Sequence, residues 1–195
     1  LNGRYAGSPW RGKPTSSWGV DGRRDYATAT AAPVTLIWDG TKMPLEDWTA
    51  YNALSPRPTW PVSDLRISAV VVPEQEGLEV AMVLGSRGHE FTFAVTESEA
   101  SITVTRTGSA EQVNRVAMDI AALVPGSPTN LVMSLVDQQL SMSVGQHVID
   151  LDLAWSPQER IRNTYGGGDG DTRSIETLLE NRPQSPTLAW TFQGS

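Results

Sequence analysis

Between Leu131 and Leu153 the chain alternates apolar and polar residues three times over, broken by two short turns. Leu131, Met133 and Leu135 fall on one face, and Asp137-Gln138 turns. Leu140, Met142 and Val144 alternate with Ser141 and Ser143, and Gly145-Gln146 turns again. Ile149, Leu151 and Leu153 close the run. Period two is the spacing of a strand with one face buried, and two tight turns in succession make a meander. No helix accommodates this pattern.

The same period appears upstream. Leu65, Ile67, Ala69 and Val71 share a face, then Leu78, Val80, Met82 and Leu84, then Phe91, Phe93 and Val95, then Ile102 and Val104. The connections at 73–77, 85–89 and 97–100 are short, which predicts antiparallel neighbours. Val34–Trp38 before Asp39-Gly40 reads as a further strand, and Leu188, Trp190 and Phe192 as a closing one that returns beside an early strand. Residues 109–124 fit both a helical stripe and an alternation, and their place inside a β run favours a strand. Residues 45–54 read as one short helical piece, stopped by the three prolines of 55–61. Ser156-Pro157-Gln158-Glu159 is a helix start with a capping serine, a first-turn proline and a capping-box glutamate. Gly166 stops that helix. Ser174 caps a second, with Ile175, Leu178 and Leu179 on one side.

These elements predict an all-β fold, a two-layer antiparallel sandwich of jelly-roll type with one or two short helices near the C-terminus. The expected core comprises Leu78, Val80, Met82, Phe91, Phe93, Leu131, Met133, Leu140 and Met142, with Trp38, Trp155 and Trp190 added to it. Residues 1–32, rich in Gly, Pro, Ser, Thr and Arg, read as an extended arm pinned on the core by Trp10, Trp18 and Tyr26. Residues 33–195 read as a single jelly-roll domain.

Four stretches carry a resemblance. Pro61–Ser68, Ser101–Arg106 and Leu131–Gly145, with Gly77-Leu78-Glu79-Val80, are similar to the concanavalin A-like, laminin-G-type jelly roll over roughly residues 61–153. The usual Asp-Gly of the hairpin is here Asp137-Gln138, with glycine coming later as Gly145. The chain also resembles, more loosely, the β insert of bacterial type I signal peptidases of planctomycete kind. That resemblance implies a Ser–Lys pair outside this chain, since Lys13 and Lys42 sit in no such motif. Both resemblances speak to fold more than to function.

The chemistry open to the chain is narrow. Without cysteine there is no disulfide, thiol nucleophile or cysteine metal site. A net charge of -7 makes nucleic acid and anionic membranes poor partners. No apolar run approaches the roughly 18 residues of a spanning helix, so membrane insertion by this segment is not expected. The two histidines, His89 and His147, read as surface turn residues, and no Gly-x-Ser-x-Gly elbow accompanies them. Asp150 and Asp152 share a strand face as glycosidase carboxylates do, but no glutamate joins them, and a solvent-facing surface is the expectation. Asp169-Gly170-Asp171 is the densest acidic loop. It offers Asp169 and Asp171 as weak calcium ligands, too few for a dedicated site, so no cofactor is expected. Trp48, Tyr51 and Trp60 lie close together in a Pro-rich stretch and are the candidate ligand platform.

Two functions compete. The first is a non-catalytic interaction or scaffolding module of an exported or membrane-anchored bacterial protein, a fragment or mature segment beginning at Leu1. The second is a carbohydrate-binding, lectin-like module or a glycoside hydrolase. The partner is correspondingly a protein or a carbohydrate, and the setting extracytoplasmic. Exposed aromatics with paired carboxylates would favour the second, and a smooth Ser/Thr/Arg sheet face the first.

Overall fold

The computed structural model describes residues 8–21, 25–30, 32–46, 61–62, 64–109, 111–166, 172–181 and 183–194. In chain order the strands are β1 (Trp10–Lys13), β2 (Gly19–Asp21), β3 (Asp25–Ala27), β4 (Val34–Trp38), β5 (Leu65–Val71), β6 (Glu79–Ser86) and β7 (His89–Val95). There follow β8 (Glu99–Arg106), β9 (Gln112–Asp119), β10 (Thr129–Val136), β11 (Gln139–Val144) and β12 (His147–Asp152). Two short helices, α1 (Pro157–Tyr165) and α2 (Ile175–Leu179), precede the final strand β13 (Thr187–Gln193). A seven-stranded sheet runs β1-β4-β13-β6-β7-β8-β9, and a four-stranded sheet runs β12-β11-β10-β5. Among the described residues all pairings are antiparallel, and β2 pairs only with β3. The fold is an all-β, two-layer jelly-roll sandwich with two short helices near the C-terminus.

Register turns the sequence alternation into a core. In the smaller sheet Met133 stands opposite Met142 on one side and Ile67 on the other, and Leu131 opposite Val144 and Ala69. In the larger sheet Phe93 stands between Met82 and Ile102. All these side chains point between the layers, and the nine residues expected in the core are buried. Apolar area removed from water, about 25 cal/mol per Å², is what holds the layers together.

The turns follow from local chemistry. β6 and β7 are joined by Arg87 and Gly88, both left-handed (φ 53 and 69). Two left-handed residues make the type of turn whose twist matches a hairpin. Residues 112–119 form a strand, as their place in the β run suggests. Ser156 caps α1 in a complete capping box, with Pro157 in the first turn and Gly166 at the end. In α2, Leu178 is buried and Ile175 half-buried but Leu179 is exposed, which corrects the expectation that all three share one side; neighbours in a helix lie about 100° apart, so Leu179 turns outward where Leu178 turns in.

Among the first 32 residues, β1 pairs with β4 as an edge strand of the larger sheet. Trp10, Trp18 and Tyr26 pack half-buried against the core. β12 lies against β8 and β9, so the four-stranded sheet starts beneath that edge and stops short of the other. The inner face of β1 and β4 is left for the segment that carries Trp18 and Tyr26.

Candidate functional site

β1 places Trp10 and Gly12 on its inner face, opposite Trp38 and Leu36. Trp10 meets Trp38 edge-on, with centroids 5.1 Å apart. Gly12 makes room for an indole. A Cβ there would run into Trp18, with Cγ at 2.7 Å. Glycine in a strand often marks such a close approach. Trp18 in turn meets Phe192 at 5.6 Å and Tyr26 at 6.4 Å, both edge-on.

These residues enclose a cleft of about 320 Å³, lined by Trp10, Gly12, Thr15, Trp18, Tyr26 and Leu36 together with Arg11. Its walls are aromatic, with a few polar groups among them, and it is open to solvent on one side. The Trp18 Nε1–H is buried and finds no acceptor among the described residues. A buried donor without a partner costs about 1–3 kcal/mol, which a ligand hydroxyl would recover. Tyr26 shares a hydrogen bond with Ser8 Oγ, and burial pushes its phenol above the ordinary value. The Thr15 hydroxyl donates to the Gly12 carbonyl at 3.2 Å and keeps its lone pairs for a ligand. Arg11 is anchored by an ion pair with Asp39, which is itself buried beneath Thr41.

Trp48, Tyr51 and Trp60 lie outside the described residues, as do Asp169 and Asp171 and most of the helical piece expected at 45–54. The flanks of the first group are bridged, Glu46 to Pro61, so residue 46 is β-paired rather than helical. Asp150 and Asp152 are exposed on the outer face of β12, as expected. His147 is exposed, but His89 is not. It is buried, with Nδ1 2.9 Å from the Arg87 carbonyl and its ring against Trp155. Burial there corrects the surface reading: inward positions of β7 alternate from residue 89, and His89 takes the first. Trp155, expected in the core, is half-buried and packs against it. Among the described residues no three acidic or histidine side chains gather as a metal site.

The outer face of the four-stranded sheet is smooth, with Ser68, Val132, Ser143 and Val148 in one row and Arg66, Ser134, Ser141 and Asp150 in the next. The aromatic feature is elsewhere, at the β1 edge of the larger sheet. Sequence reasoning named Trp10, Trp18 and Tyr26 as pins for an arm and passed over them as ligand residues. The signal was Gly12 within the first predicted arm, a glycine between aromatics.

No family model matches the chain, and no curated protein matches it. Among solved structures, it is similar to sheep galectin-11 in complex with glycerol, at 14% identity and a TM-score of 0.36, over 67% of this chain and 81% of that one. It is similar to a carbohydrate-binding module, CBM66 from Bacillus subtilis, at 9% identity and a TM-score of 0.44, over 96% and 95%. It is similar to a glycoside hydrolase family 16 endo-glucanase from Bacteroides ovatus, at 13% identity and a TM-score of 0.40, over 82% and 72%. A link to signal peptidases is not among what these comparisons show.

Proposed function

We propose that this chain is a carbohydrate-binding, lectin-like module and that the Trp10–Trp18–Tyr26 cleft is its sugar site. The carrying observation is the buried Trp18 Nε1–H, without an acceptor among the described residues, inside an aromatic-walled cleft. A pyranose ring presents apolar C–H faces and hydroxyl edges together. Indole and phenol faces take the first, and the Trp18 donor with the Thr15 and Tyr26 oxygens takes the second. The reading stands on the cleft, not on what the galectin, the binding module or the glucanase bind. It carries with it an extracytoplasmic setting, where polysaccharide is met. The hydrolase variant gains nothing from Asp150 and Asp152, which stand on an open strand face. The scaffolding reading has the smooth serine-rich face of the smaller sheet in its favour, a surface for a protein partner.

The test is titration with neutral and acidic oligosaccharides, followed by tryptophan fluorescence and calorimetry. A saturable signal that Trp18→Ala removes, with the unfolding transition retained, supports the reading. Absence of binding across the panel, or binding that Trp18→Ala leaves intact, overturns it.

A further inference from the structure

β9 closes one edge of the seven-stranded sheet, and among the described residues no strand pairs with its outer side. Exposed edges are ordinarily blunted by proline, a bulge or charged side chains, lysine above all. Arg115-Val116-Ala117-Met118-Asp119 contains no proline or lysine, its two charges are of opposite sign, and the one register shift against β8 lies at the far end, between Val104 and Thr105.

The charges along this edge are unbalanced. Asp119 stands directly opposite Glu99. Like charges in that relation destabilise a strand pair. Arg115 pairs with Glu99, and Asp119 stays exposed with no cation beside it among the described residues.

We propose that a second copy of this chain pairs antiparallel along β9, about a two-fold axis at Ala117. In that register each Arg115 stands opposite the Asp119 of the other copy, twice over, on the outer face. On the inner face each Val116 meets the other copy's Met118. Val116 is already half-buried against the core and Met118 is 36% exposed, so the contact continues the core across the junction. Neighbouring registers fail. An axis at Arg115 opposes the two arginines, and an axis at Val116 or Met118 leaves Asp119 facing an apolar residue. An axis between two residues turns one copy over and sets its polar face against the other's apolar one. A two-fold contact needs a self-complementary surface, and this register supplies it.

The experiment is sedimentation and light scattering of the whole chain over a micromolar dilution series. The unaltered chain should dimerise. Arg115→Asp alone sets acid against acid, and Asp119→Arg alone sets base against base. Each should weaken association by at least about tenfold. Mixed one to one, the two variants place opposite charges at both contacts, and the heterodimer should form. The double variant should dimerise by itself, which guards against a simple folding defect. A monomeric unaltered chain, a dimer indifferent to both reversals, or a mixture that stays monomeric overturns the proposal.

Discussion

Arg87 Nη1 donates to the carbonyl of Asp137 at 2.7 Å and so ties a turn of the larger sheet to a turn of the smaller. Asp64 completes the link, its Oδ1 accepting from Arg87 Nη2 at 3.3 Å and from the Asp137 N–H at 3.1 Å. Both turn residues are left-handed, φ 53 and 54. The Arg87 side chain is 6% exposed, and desolvation lowers its pKa against the pull of Asp64. Arg87→Met keeps the stem and removes both hydrogen bonds, while the exposed Asp64 and Asp137 turn to water instead. It should cost about 0.5–1.5 kcal/mol. Urea unfolding of the variant against the unaltered chain checks this, and an unmoved midpoint would show the link to be idle.

Phe93 sits between Met82 and Ile102 with no exposed surface. Phe93→Ala should destabilise by about 3–5 kcal/mol, because both layers must close around the void. The same urea measurement reads it.

Gly12 is the gate of the cleft. Gly12→Val puts a branched side chain where the Trp18 ring lies. The expected result is a shifted tryptophan emission and loss of sugar binding, with most of the stability kept. A variant that binds as before would remove Trp18 from the site.

Acid should loosen two local structures. Hydrogen bonds from Thr41, helped by Arg11, hold the Asp39 carboxyl below the ordinary carboxylate value, and Ser156 does the same for Glu159. A lowered folded pKa means the unfolded chain takes the proton more readily. The stabilisation is therefore complete above the ordinary range near pH 4 and is lost as pH falls through the lowered values. Melting temperature against pH should fall on the acid side, and Asp39→Asn should flatten that limb.

The strands were legible because burial on one face writes itself as period two, and Leu131–Leu153 could be read residue by residue. The meander's register followed from its turn positions. The cleft was not legible in the same way. It depends on Trp18 folding back under Gly12 of an edge strand, backed by Phe192 far off in sequence, and no local pattern encodes that packing. His89 was misread because an inward strand position looks like a turn when it directly follows a glycine. Nothing in the local sequence signals that Arg87 would reach Asp137, fifty residues on.

β13 lies between β4 and β6, so among the described residues it is the strand that joins the two blocks of the larger sheet, β1-β4 and β6-β9. Its partners are Val34–Ile37 and Glu79–Gly85, made long before it. A ribosome that has finished β12 has built hairpins and the whole smaller sheet, yet the first block still lacks β13 and Trp18 lacks Phe192. Closing so long a loop is slow on entropic grounds. The contact of Trp18 with Phe192 is thus among the last to form, and a nascent or truncated chain lacking β13 would leave that indole and its neighbours as exposed apolar surface.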